Sequence, residues 1–320
     1  MIMVLRSSDG RGRVFWEVAL AILLSSMLFE SIFMSTLLAL PILLLRGRLS
    51  EGKICFLLVF EMAVVVLMTL AESSFKIEDK IDLALLFLNL VAPASMLCSG
   101  AVWMKTEKKG AVERIYLSSL PSFFILLVVA LYIRQDMALQ VGLTEHFLNV
   151  FGLMLEGFFH INDSVLVGNI SSVLLSLSLM LIFPFIVSSI CVTGFIYETV
   201  LHSKESDWEE KMGLLDVDSR FIWAFLAFWA VAIYSSFLSS FPKFLGYVVF
   251  NVALALTIAY MVQGFSVLVY LLRKFGFKIR AFPLFLVLFF IFMIVPWVNV
   301  LVFSIILVLG LAENFVELRR

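Results

Sequence analysis

The chain has 320 residues, 62% of them hydrophobic and 15% charged, with a formal net charge of −1 and a mean hydropathy of +1.09. Soluble domains run at about 45–50% apolar and about 25% charged residues, so this composition excludes a water-soluble globule. The balanced charge excludes a strongly basic nucleic-acid binder. What remains is an integral membrane protein with lipid as its main solvent.

A hydrocarbon core of about 30 Å takes roughly 20 apolar residues in a helix, and backbone groups in lipid must bond within their own segment. The apolar runs are continuous, where barrel strands would alternate over about 10 residues, so the chain reads as all-α. After a cytoplasmic tail, 1–13, the first run is Val14–Leu45. Glu30 and Ser31 divide it and Pro41 lies in its second half, so it is either a hairpin or one long kinked helix. Arg11 and Arg13 precede it as in a secretion signal, but the early Glu17 and the absence of a small-x-small cleavage pattern argue against that reading.

The second run, Ile54–Ala71, carries Glu61 near its middle. A charge at the bilayer centre costs about 2.5–3.5 kcal/mol on insertion scales, so Glu61 should face the protein interior as a structural hydrogen-bonding group or as a ligand or proton site. Ile81–Trp103 and Ile115–Ile133 follow. The segment 134–165 reads as an extracytoplasmic amphipathic helix: Glu145, Asn149, Gly152, Glu156, His160 and Asp163 recur on one face, with Phe147, Phe151 and Leu155 on the other. Glu156 and His160 stand at metal-ligand spacing but lack further ligands, so they read as a solvated face.

Ile170–Leu201 leads into a cytoplasmic loop, 202–220, and Phe221–Ser239 follows. Leu245–Leu272 has the clearest internal pattern, since Asn251, Ala255, Ala259 and Gln263 recur every four residues. Small residues let helices approach and amides bond across them, so Ala255, Ala259 and Gly264 mark a packing seam. Asn251 and Gln263 read as part of it or as the polar wall of a ligand cavity. The last run, Ala281–Leu311, is broken by Pro296, Trp297 and Asn299. The whole chain, 1–320, reads as a single integral membrane domain: a polytopic helix bundle of eight apolar segments and up to ten crossings, plus the amphipathic helix.

Orientation follows from Lys and Arg in short loops. The gaps 46–53, 104–114, 202–220 and 273–280 hold fourteen, and the alternate gaps, with Lys76, Lys80, Arg134 and Lys243, hold four. The first set is therefore cytoplasmic. With basic residues also at both ends of the chain, both long runs must double back if both ends are cytoplasmic. Trp16, Trp103, Trp223, Tyr247 and Tyr270 lie near segment ends, where amphipathic rings favour the interface.

Catalytic chemistry finds little support. There is no H-E-x-x-H and no phosphate-binding P-loop, and His146, His160 and His202 all lie outside the runs, so no enzymatic activity and no cofactor are expected. Cys55, Cys98 and Cys191 form no C-x-x-C pair and read as buried apolar thiols.

Three stretches carry a resemblance. Leu40-Pro41-Ile-Leu-Leu-Leu45-Arg46-Gly47, Ala259-Tyr260-Met-Val-Gln263-Gly264-Phe-Ser-Val and Gly310-Leu-Ala-Glu313-Asn-Phe-Val-Glu317-Leu-Arg319 resemble, in order and spacing, the YybS family of bacterial multi-spanning membrane proteins. Where that family pattern has Asp, Asp and Phe near its end, this chain has Glu313, Glu317 and Leu318. The family is similar to the substrate-binding S subunits of energy-coupling-factor vitamin transporters. The resemblance therefore implies a small-molecule uptake component of the bacterial cytoplasmic membrane, with a coupling subunit and an ATPase as partners. S subunits dock through small-residue ridges in their first helix, where this chain offers Ala21 and Ser25. The alternative is a non-transporting membrane scaffold or assembly factor.

The orientation can be checked directly. In a cysteine-free background, Arg280→Cys is expected to resist a membrane-impermeant maleimide in intact cells and to react in inverted vesicles; reaction in intact cells would reverse the topology.

Overall fold

The computed structural model describes residues 10–30, 35–72, 79–160, 164–202, 208–238, 240–277, 280–294, 296–316 and 318–319. Of the positions named above, Ser31, Lys76, Asp163 and Glu317 lie outside these, as do the side chains of Arg11, Arg13, Pro296, Trp297 and Asn299. Every regular element among the described residues is helical. Among the described residues five helices are long and apolar enough to cross a membrane, which fits a membrane-protein helix bundle. The bundle consists of two compact units, residues 1–105 with 118–193 and residues 106–117 with 194–320.

In the first unit, α1 (Gly10–Glu30) is followed by a 3₁₀ turn (Ser35–Leu37), the four-residue α2 (Leu40–Leu43) and a second 3₁₀ turn (Leu44–Gly47). Arg48 pairs with Glu17, and the Ser25 hydroxyl donates to the Leu38 carbonyl at 2.5 Å, so this leg runs back along α1. The first apolar run thus doubles back. Its second half is not a long helix, however: Pro41 sits in the first turn of α2, where its missing N–H is harmless, and the helix closes after one turn. Irregular backbone survives in a membrane protein only where protein surrounds it, and Leu38, Ala39, Ile42 and Leu43 are all buried.

Next come α3 (Glu51–Glu72), α4 (Lys80–Lys105), α5 (Ala111–Gln135), α6 (Met137–Phe159) and α7 (Ser164–His202). Asp79 starts α4 by accepting the Ile81 and Asp82 backbone N–H groups at 2.8 and 2.9 Å. Pro93, Pro121 and Pro184 lie inside α4, α5 and α7. α7 has 39 residues, about 58 Å at ~1.5 Å per residue, well beyond one hydrocarbon thickness.

The segment expected to be amphipathic is α6. Its Leu139 and Leu143 bury against Ala84 of α4, and a side chain at Gly142 would overlap Ile81. Glu145, Asn149, Glu156 and His160 are exposed as expected, but so are Leu153 and Met154. The outward surface is therefore mixed rather than polar. A left-handed residue, His160, ends the helix. Among the thiols, Cys98 is exposed on its helix instead of buried, because α4 turns Ser95 and Ser99 towards the protein and position 98 away from it.

The second unit contains α8 (Trp208–Gly213), α9 (Phe221–Phe237), α10 (Lys243–Lys274), α11 (Ala281–Ile294) and α12 (Pro296–Val316). α10 begins after Pro242. It ends in a glycine-dependent cap: Gly276 is left-handed at φ 86°, the Phe277 N–H reaches back to the Leu272 carbonyl, and the Gly276 N–H to Arg273. Arg273 and Lys274 complement the helix dipole there. The final apolar run is occupied by α11 and α12, and Val295 between them lies outside the described residues.

α6 depends on one carboxylate. Asp136 accepts the Ala138 and Leu139 N–H groups and pairs with Lys80 at 3.1 Å. The Leu139 N–H, then Lys80 and the Ala138 N–H, hold its carboxyl below the usual carboxylate range. This contribution is complete above the unfolded value of about 3.9 and is lost as the pH falls through the lower folded value. Asp136→Ala is expected to speed hydrogen exchange at the Ala138–Gln140 amides at neutral pH, and acidification should bring the parent protein towards the same behaviour.

Candidate functional site

The residues singled out in the sequence fall at two places. In the first unit, Glu61 on α3 is fully buried. The Ser26 hydroxyl on α1 lies 3.2 Å from its Oε1 and 3.0 Å from the Ile22 carbonyl, while Oε2 has no hydrogen-bond partner. Ser25 stands beside the carboxyl as well, its hydroxyl turned to Leu38. A buried polar atom without a partner costs about 1–3 kcal/mol, so this carboxyl is held where packing alone would not put one.

Ser26 also lines an open pocket of about 550 Å³ with Ala19, Ile22, Leu23, Met27 and Glu30. The hydroxyl that touches Glu61 is therefore the polar point in an otherwise apolar wall, and Glu30 stands exposed at one end. All six lining residues belong to α1, so the feature is an open groove along one helix face. Neither serine was read from the sequence as a partner of Glu61. Their position some 35 residues away has no local signature, since only the fold-back of the first run brings α1 against α3.

In the second unit, the stripe on α10 is buried. Ala259 and Tyr260 pack with Val112, Val217, Ile222 and Phe225. Gly264 meets Gly310 of α12 with the two backbones touching: a Cβ on Gly264 would overlap the Ile306 carbonyl oxygen, and one on Gly310 the Tyr260 carbonyl. Lipid offers no hydrophobic drive for helix association, so close backbone approach at small residues supplies the attraction through packing. Ala255, Ala259 and Gly264 are all buried on α10.

The two amides are engaged. Asn251 Nδ2 donates to the Tyr247 carbonyl at 2.8 Å, and Gln263 Nε2 donates to Asp216 Oδ1 at 2.9 Å, with Gln263 Oε1 left unpartnered. Asp216 also takes Arg319 at 3.2 Å. Arg319 in turn bonds Glu313 Oε1 at 2.9 Å, the Gly213 and Leu215 carbonyls at 3.2 and 2.7 Å, and Ser266. Arg319 thus fastens the end of the chain to the segment after α8 and to α10. A planar guanidinium with several donors suits such a junction better than a lysine. Glu198, another acid of the apolar runs, bonds Arg114 at 2.5 Å and lies 3.3 Å from His202.

Among the described residues no three His, Cys, Asp or Glu side chains gather to hold a metal. Comparison of the chain with protein families, with curated proteins and with solved structures finds no match.

The glycine crossing yields a direct test. Gly264→Ala is expected to destabilise the detergent-solubilised protein by on the order of 3 kcal/mol, read as a lower melting temperature, because backbone rather than a flexible side chain must yield. Gly157→Ala, where a Cβ meets open space, serves as the neutral control.

Proposed function

We propose that this chain is a small-molecule-binding uptake component of the bacterial cytoplasmic membrane, of the kind the S subunits of energy-coupling-factor transporters represent. The observation that carries the reading is the buried Glu61, touched by a serine that also lines the α1 pocket. An interrupted apolar run beside a buried polar group is a recurrent construction for substrate sites in transport proteins. Gln263, with its free Oε1, and Asn251 are the further candidate ligand groups. The role is binding rather than catalysis. Transport would draw its energy from a coupling subunit and an ATPase, since the sequence contains no ATP-binding motif of its own.

Family membership belongs to the same proposal. The Ala259–Val267 and Gly310–Arg319 stretches that resemble the YybS pattern meet through Gly264 with Gly310 and through Ser266 with Arg319, which supports reading them as one construction. We extend the topology likewise to eight apolar segments, the five long helices being joined by α1, α9 and the α11–α12 run. The basic connectors lie inside the cell and α6 outside.

A second reading, a membrane scaffold or assembly factor, is favoured by the engagement of both amides within the fold. Native mass spectrometry of gently extracted protein separates the two. The uptake reading expects a retained small molecule that is lost from Glu61→Ala, and a co-purifying coupling subunit. A well-folded protein that retains no ligand and is stabilised by no vitamin-like compound would reject it in favour of the scaffold.

A further inference from the structure

Hydrogen-bond donors around Glu61 are fewer than the acceptors. A serine hydroxyl has one proton to give. Ser25 gives its proton to the Leu38 carbonyl at 2.5 Å. Ser26 has the Ile22 carbonyl at 3.0 Å and Glu61 Oε1 at 3.2 Å as competing acceptors for its single proton. An ionised Glu61 would be a fully buried anion with one shared donor on Oε1, none on Oε2 and no countercharge among the described residues, which membrane proteins do not maintain. A proton on Oε1 resolves the competition: Glu61 can then donate to Ser26 Oγ, which leaves the Ser26 proton for Ile22.

No described group supplies the missing countercharge. The elements packed against α3 are α1, α2, the 3₁₀ turn after it and α4. Their described titratable or charged side chains are Glu17 and Glu30 on α1, Arg46 on the turn, and Lys80, Asp82, Cys98 and Lys105 on α4, those of Arg11 and Arg13 on α1 lying outside the description. Arg46 is paired with Glu51 at 2.6 Å, Lys80 with Asp136, and Glu17 with Arg48. None bonds Glu61.

We infer that Glu61 is a proton-binding site within the membrane, loaded in this structure and exchanging its proton with water in the α1 pocket through Ser26. The ligand is the proton itself: the Oε1–H bond forms on uptake and breaks on release, the proton passing to pocket water and the carboxylate remaining. The assignment goes beyond solute binding and does not require it. Ser26 is the one described residue that touches the carboxyl and lines the pocket as well.

A hydrophobic carbodiimide, which reacts with protonated carboxyl groups in lipid, provides the test on the full-length protein in vesicles. Peptide mapping is expected to place the adduct on Glu61, with a yield that falls as the pH rises and is lost in E61Q. E61Q, an isostere of the neutral acid, should keep the parent melting temperature. Difference infrared spectra of parent and E61Q should show a protonated-carboxyl band in the parent only. Absence of both adduct and band, while the same peptide is labelled in unfolded chain, would overturn the assignment. So would a yield independent of pH, or protection by sodium at constant ionic strength, which would make the occupant a metal cation. Failure of solute binding in native mass spectrometry leaves these outcomes unchanged, so the two readings fail separately.

Discussion

In hydrocarbon a polar group has no water to fall back on, and at several places among the described residues a departure from a straight apolar helix is answered by a bond inside the protein. The fold-back after α1 is the plainest case. Between the 3₁₀ turn Ser35–Leu37 and α2 the Leu38 carbonyl accepts the Ser25 hydroxyl. The leg itself is enclosed by protein, with Ala39 packed close against Gly100. The same constraint governs the helix ends, where Asp79 and Asp136 accept orphan N–H groups and Gly276 returns two N–H groups to carbonyls of the last turn.

Where polar bonds are not needed, contact area must do the joining. α10 carries alanine and glycine on the side that meets α12, and at Gly264 and Gly310 nothing but backbone separates the two helix axes. Around that point larger groups close the gaps: Phe225 stands edge-on to Tyr260 at 5.1 Å, and Trp229 donates to Thr257 at 3.0 Å. Aromatic edges and one hydroxyl thereby hold α9 to α10 without a charged group.

The long spans were legible in the sequence because their limits are local. Ile81–Trp103 becomes Lys80–Lys105 and Leu245–Leu272 becomes Lys243–Lys274, since an aspartate, a proline and a glycine at those limits act on their own neighbours. The seam of Ala255, Ala259 and Gly264 was legible for the same reason: helical periodicity alone puts it on one side. Partners were not. Gln263 and Asp216 are 47 residues apart, and Asp216 and Arg319 are 103 apart. No spacing rule reaches so far, so nothing in the sequence tied the 202–220 loop to Gln263 or to Arg319. The short leg after α1 was hidden for a different reason, because buried turns and membrane helices have the same apolar composition.

The two polar centres differ in electrostatic character, and the difference decides which of them carries chemistry. Arg319, its side chain only 9% exposed, pairs with the equally buried Glu313 and reaches out to Asp216, which is 67% exposed. Removing Arg319 would leave the buried Glu313 uncompensated, and such a pair is a fixed joint. Among the described residues Glu61 bonds no opposite charge and has serine hydroxyls as its polar neighbours, so its net charge can change without breaking an ion pair. A group whose charge can vary at constant packing is suited to loading and unloading a ligand, whereas a charge locked in a pair is suited to holding two segments together. On that ground the proposed function rests first on α1 and α3, and Gln263, bonded to Asp216 through Nε2, is the lesser candidate.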